Sequence, residues 1–264
     1  MKHTFLTLLF LIGLTSCKNN VQKESSDDPN LVSSSQTMEN NMEQDEFKVT
    51  PISHATMVID WDGTVIYVDP VGDSGSYAGF EDPDLILITD IHGDHLNIET
   101  LESLETSGAK IIVPQAVADK LPSVFDAQVD VLKNGDYKER FDFGIEAIPM
   151  YNLRPEALQF HSKGRGNGYV IEKDGKRVYI SGDTEDIPEM RTLESIDIAF
   201  VCMNLPYTMT VVSAADAVIE FQPGVVYPYH YRGTEGLSDV SKFAELVSDG
   251  NPDIKVRQLD WYPE

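Results

Sequence analysis

Residues 85–95 read LILITDIHGDH. The first half, 85–89, is a continuous apolar run closed by a threonine, the pattern of a strand buried on both faces. The second half places Asp90, His92, Asp94 and His95 within six residues, just past that strand and just before a helical pattern at 98–104. Groups at the end of a buried strand stand on a rigid base and point into a loop-lined cleft. Carboxylates and neutral imidazoles together suit zinc, manganese or iron. Gly93 is expected to let the backbone turn sharply, so that the side chains on either side converge. The pattern predicts a cluster holding one or two divalent metal ions, which make water acidic enough to attack at neutral pH, with zinc at a pKa of about 7.

Working outward, residues 49–52, 56–60 and 64–68 are short and β-branched, and Trp61-Asp62-Gly63 separates the last two with a turn signal. Strands are expected at 110–113, 143–148, 168–171, 177–181, 196–201 and 225–229. Asp174-Gly175 is a hairpin dipeptide between two of them. Helices are expected at 116–121, 214–221 and 240–247. Strands come first as a block and then mix with helices, which predicts an α/β protein whose sheets are covered by helices. Cys202 follows an apolar run and reads as buried strand.

The chain has six histidines, of which His3 belongs to the N-terminal leader. The other five, His54, His92, His95, His161 and His230, each fall in or beside a loop at a strand edge. Scattered surface histidines would not do this so uniformly.

Residues 90–95 resemble the His-x-His-x-Asp-His signature of the metallo-β-lactamase superfamily, with Asp90 in place of the first histidine. His54-Ala55-Thr56 with Tyr67-Val68-Asp69-Pro70 resembles the family's opening strands. Ser181-Gly182-Asp183-Thr184 resembles its later Gly-Asp-Thr, and Tyr227-Pro228-Tyr229-His230 the segment bearing its last histidine. The resemblance covers essentially the whole of 46–264. It implies a four-layer αβ/βα sandwich of two mixed sheets flanked by helices. It assigns His92 to a first metal position, Asp94, His95 and His230 to a second, and Asp183 between both. Asp90 would favour harder metals at the first position. Met150-Tyr151-Asn152 occupies the place of the family's mid-chain histidine. The stretch 160–169, FHSKGRGNGY, resembles the ascorbate-lactonase-like and phospholipase-D-like branch, with His161 either a ligand or a substrate contact.

The implied activity is hydrolysis of a small ester, lactone or phosphodiester by a metal-activated water oriented by Asp94. A β-lactamase is disfavoured, because the ligand set departs at Asp90 and in mid-chain. Lys163 and Arg165, in a glycine-rich stretch, are expected to present cations to an anionic substrate. His54, Asn152, Asn204 and Tyr207 are further candidates for substrate contact. The competing reading is a non-catalytic metal- or partner-binding surface protein of the same fold. Iron redox chemistry is a third, without a flavin or nicotinamide fingerprint to support it.

Residues 5–14, FLTLLFLIGL, form a signal-peptide core too short to span a membrane, followed by Leu14-Thr15-Ser16-Cys17, which resembles a bacterial lipobox. This predicts a signal peptide at 1–16, a lipid on Cys17 and an exported lipoprotein of the cell envelope. Residues 17–45 are polar, with too little apolar surface to offset chain entropy, and read as a disordered tether. The formal net charge of −24 disfavours nucleic acid as a partner. The membrane is reached only through the lipid, and the remaining partner is a small-molecule substrate.

Overall fold

The computed structural model describes residues 47–263. The expected signal peptide, Cys17 and the tether lie outside the described residues. A six-stranded sheet runs in the order β1 (Phe47–Ser53), β2 (Thr56–Trp61), β3 (Thr64–Val68), β4 (Leu85–Leu87), β5 (Lys110–Val113) and β6 (Val129–Val131). The first three strands are antiparallel, and β3 to β6 are parallel. A seven-stranded sheet has β7 (Tyr137–Arg140) at one edge, then β8 (Phe143–Met150), β9 (Gly166–Lys173), β10 (Lys176–Ile180), β11 (Ile198–Cys202), β12 (Val225–Tyr229) and β15 (Lys255–Val256). Here β7 to β10 are antiparallel, and β10, β11, β12 and β15 are parallel. β13 (Arg232–Gly233) and β14 (Gly236–Leu237) make a small separate hairpin.

The period of two in a strand sends alternate side chains to opposite faces. Leu85, Leu87, Ile66, Val68 and Ile112 point into the core between the sheets, together with Ile145, Ile171 and Phe200. Ile86, Ile88, Tyr67 and Ile111 point the other way, onto Leu101 of α1 (Ile98–Ser103) and Val117 of α2 (Gln115–Ala118). Both faces of β4 are therefore buried, which is why residues 85–88 are apolar without interruption. Each of these side chains stabilises the fold by about 1.5–3 kcal/mol. The second sheet is covered by α3 (Pro188–Arg191), α4 (Val211–Phe221) and α5 (Val240–Gly250), through Met190, Phe221, Phe243 and Val247. The arrangement is the expected four-layer sandwich.

The longer helices begin where a side chain can cap them. Thr210 accepts from Ser213 N–H at the start of α4, and Asp239 from Lys242 N–H at the start of α5. Asp174 and Gly175 sit at φ 51° and 79°, the left-handed pair that their hairpin turn requires. Two edge strands, β6 and β7, have no clear signal in the sequence. They are short and largely polar, and Arg140 of β7 grips Asp130 of β6 with two hydrogen bonds of 2.7 and 2.8 Å, tying the edges of the two sheets together.

Candidate metal centre

Parallel pairing aligns strand ends, so the residues that follow β3, β4, β10, β11 and β12 emerge at one edge of the sandwich. They are Asp69, the 90–95 segment, Asp183, Asn204 and His230. His54 enters beside them from the end of β1, and His161 from the loop between β8 and β9.

His95 Nε2, His230 Nε2, Asp183 and Asp94 converge on one point. The separations are 3.1 Å between the two imidazole nitrogens, 3.3 Å from His95 to Asp183 Oδ2 and 3.1 Å from His230 to Asp183 Oδ1. Asp94 Oδ2 is 3.5 Å from His230, and its Oδ1 is 3.8 Å from His95. Zinc–ligand bonds of about 2.0–2.2 Å put neighbouring donors of a tetrahedron about 3.3–3.6 Å apart. His95, His230 and Asp183 thus already have the spacing of neighbouring donors in such a site, with Asp94 beside them.

A second set shares Asp183. His161 Nε2 lies 3.0 Å from Asp183 Oδ2 and 4.0 Å from Asp90 Oδ2, and His92 Nδ1 lies 2.8 Å from the same Asp90 oxygen. Among the described buried side chains, His161 Nε2 and Asp183 Oδ1 have no hydrogen-bond partner. Each has a neighbour close by but not aligned to bond, as donors that face a common third atom would. A buried polar atom without a partner is costly, and a cation between them removes that cost. The residues fit divalent metal.

The candidate ligand nitrogens of His95 and His161 are selected from behind. Asp69, fully buried, accepts from His95 Nδ1 at 2.8 Å, leaving Nε2 with its lone pair facing inward. Thr89 donates its backbone N–H to Asp69 Oδ1 and its hydroxyl to Oδ2, both at 2.7 Å. His161 Nδ1 pairs with the Tyr207 carbonyl at 3.1 Å. Asn204 sits 3.2 Å from His230 Nδ1, and for His230 Nε2 to ligate, the Asn204 amide turns the oxygen rather than the NH2 to that nitrogen. Three residues of this shell, His54, Asp69 and His230, hold left-handed backbone at φ 58°, 44° and 46°. Such strain in ordinary residues clusters at functional sites.

Burial pushes His230 down to about 3, keeping that imidazole neutral. Burial also lowers His95, but the charges of Asp183 and Asp69 outweigh it and raise the ring well above its ordinary value. A dication beside His95 would supply the same compensation as that proton. Burial raises Asp183, and the neighbouring His230, His95 and His161 reverse this to hold it well below the carboxylate range. Asp90 is buried as well, yet its hydrogen bond to His92 and the charges of His95 and Arg165 hold it low.

Several expectations are corrected here. Gly93 does not adopt left-handed backbone, and an added Cβ there would meet nothing within 4 Å. The convergence comes from strand ends, not from a glycine hinge. Arg165 does not present a free cation, because its guanidinium grips Asp90 with bonds of 3.0 and 2.7 Å. Lys163 is paired with Glu189 at 2.6 Å. Gly166 and Gly168 lie in β9, where Gly168 packs against the backbone of Ile180 and Ser181. Asn152 donates to the carbonyls of Ala157 and Tyr207, bracing the His161 loop. Asn204 and Tyr207 do line the cavity, of about 300 Å³, along with Phe160, His92, Asp94, His161 and Asp183. Cys202 is buried, at the end of β11, as expected. Asp69, Thr89 and Tyr262 carry no signal of a site role on their own. Only the position of Asp69 just past an apolar strand could have drawn notice.

A family model for the β-lactamase superfamily domain matches residues 48–230. A UPF0173 metal-dependent hydrolase of Pyrococcus abyssi is 31% identical over 212 residues, covering 76% of this chain and 92% of that protein. A solved structure from Parabacteroides distasonis, grouped with metal-dependent hydrolases, superposes with a TM-score of 0.70 at 40% identity, over 82% of this chain and 94% of that one. The metallo hydrolase Igni18 of Ignicoccus hospitalis does so with a TM-score of 0.67 at 26% identity, over 81% and 94%. With its strand-end cluster of histidines and aspartates, the chain belongs to the β-lactamase superfamily, among relatives named as metal-dependent hydrolases.

Proposed function

We propose that this protein hydrolyses a small neutral ester or lactone with the help of one or two divalent metal ions. The observation that carries this reading is the convergence of His95, Asp183 and His230 within metal-sharing distance, with Asp94 beside them and unpartnered donor atoms at the centre. Asp94, His95, Asp183 and His230 would hold one ion. His92 and His161 would hold a second, with Asp183 shared and Asp90 beside it. When bound, the ions polarise a carbonyl oxygen and bring the pKa of water to about 7 in the case of zinc.

The chain's own residues divide the remaining work. The side chain of Asp94 is 41% exposed, against 4% for Asp183 and 0% for Asp90. It is the carboxylate within reach of a water entering the cavity, and it orients that water and accepts its proton. Phe160 and Tyr207 meet edge to face at 5.1 Å and form a largely apolar wall. Arg154, Lys163 and Arg165 are each tied to a carboxylate, Glu185, Glu189 and Asp90 in turn. With these three neutralised, a neutral carbonyl substrate suits the cleft better than a phosphodiester. A larger surface cleft over Tyr137, Phe141 and Glu172 brings together no comparable ligand set.

The N-terminal sequence supports placing this domain at the cell envelope through a lipid on Cys17. Among the described residues no helix is long and apolar enough to cross a membrane.

The test is to load the full chain with zinc or manganese and measure turnover of a lactone panel, p-nitrophenyl acetate and bis-p-nitrophenyl phosphate. Ester or lactone turnover that collapses in Asp94→Asn while metal is retained is the expected result. Turnover of the phosphodiester alone would overturn the substrate class. Metal below one equivalent, unchanged by Asp94→Ala or His92→Ala, would overturn the metal-dependent reading.

A further inference from the structure

His54 enters the centre by a route of its own. Its Nε2 lies 3.3 Å from Asp94 Oδ2, and its Nδ1 lies 2.8 Å from the hydroxyl of Tyr262. That hydroxyl already accepts the backbone N–H groups of Tyr231 and Arg232, both at 3.0 Å. A tyrosine hydroxyl has two lone pairs and one hydrogen. The two N–H donors occupy the lone pairs, so the hydrogen goes to His54 Nδ1. The neutral ring then carries its own proton on Nε2, facing Asp94 Oδ2 at 3.3 Å. A protonated nitrogen has no lone pair for a metal. This removes His54 from the ligand group that its position beside Asp94 and His230 suggests.

We infer that Tyr262 is a positioning residue of the centre, which fixes the tautomer of His54 so that His54 orients Asp94. The backbone around it is tied as a knot. His54 N–H reaches the Trp261 carbonyl at 3.4 Å, and His230 N–H reaches the His54 carbonyl at 3.3 Å. The rings of His54 and His230 meet at 3.9 Å, and Arg232 stacks on the Tyr262 ring at 4.3 Å. One hydroxyl therefore closes the turn after His230 and sets the hydrogen-bonding sense of His54. Tyr262 lies beyond residue 230, where the match to the superfamily domain ends. The C-terminal segment thus belongs functionally to the metal centre.

The inference rests on the hydrolase reading only for the role of Asp94 in turnover. The tautomer and the zinc affinity can be read without any substrate. In the zinc-loaded full chain with isotope-labelled imidazoles, NMR is expected to show His54 protonated on Nε2, assigned by loss of its signals in His54→Gln. Tyr262→Phe is expected to let the Nδ1–H form appear and to weaken zinc binding about tenfold in chelator competition. It should also lower kcat on p-nitrophenyl acetate with KM little changed. His54→Gln keeps an N–H donor toward Asp94 and should hold zinc nearly as well as the parent, whereas His54→Ala should not. A parent ring protonated on Nδ1, an unchanged tautomer and affinity in Tyr262→Phe, or equal losses in the Gln and Ala variants would overturn the inference. If Tyr262→Phe does not fold, the parent spectrum and the His54 pair decide. If no ester is turned over, the hydrolase reading fails while the tautomer and affinity still judge this one.

Discussion

Asp69→Asn perturbs the centre while leaving every donor atom that faces the metal in place. Asp69 is fully buried and accepts three hydrogen bonds, from Thr89 N–H, the Thr89 hydroxyl and His95 Nδ1. An amide has one accepting oxygen and one NH2 group. With its oxygen in the Oδ2 position, the NH2 faces the Thr89 backbone N–H, a donor that cannot reverse. With the NH2 in the Oδ2 position, it faces His95 Nδ1, and the ring escapes only by moving its proton to Nε2. That proton then sits where the metal must bind. Hydrogen bonds to a charged acceptor contribute about 1.5–3 kcal/mol each. Burial already raises the Asp69 carboxyl, against the opposing pull of His95 and Thr89, so neutralising it recovers part of the desolvation cost. The net expectation is a loss of about 1–3 kcal/mol in the metal-free protein. Zinc affinity should fall about 10–100-fold. Urea unfolding of metal-free protein reads the first quantity, and chelator competition reads the second. If Asp69→Asn binds zinc within about twofold of the parent while His95→Ala abolishes binding, Asp69 does not set the His95 tautomer and the reasoning is wrong.

Removing Arg165 takes the two guanidinium bonds from the buried Asp90 carboxylate and leaves His92 as its close partner, so Arg165→Met should cost about 3 kcal/mol in urea unfolding. Saturating zinc should recover part of that, and equal losses with and without zinc would separate Asp90 from the metal centre. Gly168→Ala places a Cβ 2.8 Å from the Ser181 carbonyl oxygen and 2.9 Å from that of Ile180. It should destabilise by about 1–3 kcal/mol, whereas Gly93→Ala, with open space around it, should stay within about 0.5 kcal/mol of the parent. Burial, reinforced by the charge of Asp183, pushes the Cys202 thiol up to about 11. In a Cys17→Ser chain the thiol should resist a disulfide reagent at pH 8 and react once urea unfolds the protein. A folded-state rate equal to the unfolded one would contradict its burial.

Most of the fold is legible in local pattern because strand burial is written at a period of two. Residues 85–88 announce a strand covered on both faces, and the parallel strands β11 and β12 show the same apolar density. Two of the misses, β6 and β7, are edge strands joined by Arg140 and Asp130 rather than marked by apolar alternation. Helix ends shifted by a few residues, as with α2, which stops at Ala118 instead of continuing to 121.

The sequence alone determined the chemistry of the centre. Asp90, His92, Asp94 and His95 are adjacent in the chain, and Asp183 and His230 follow recognisable strand ends. Tertiary structure decided which atom of each group faces the candidate centre and which faces away. Arg165 closes on Asp90 across 75 residues, and Tyr262 reaches His54 across 208. A hydrogen bond of that range depends on which strand ends meet and in what register, and no local periodicity records it. For that reason Arg165 reads in sequence as a free cation and proves to be a half-buried partner of the buried Asp90. For the same reason His54 reads in sequence as a substrate contact and Tyr262 carries no signal, yet the two meet beside Asp94.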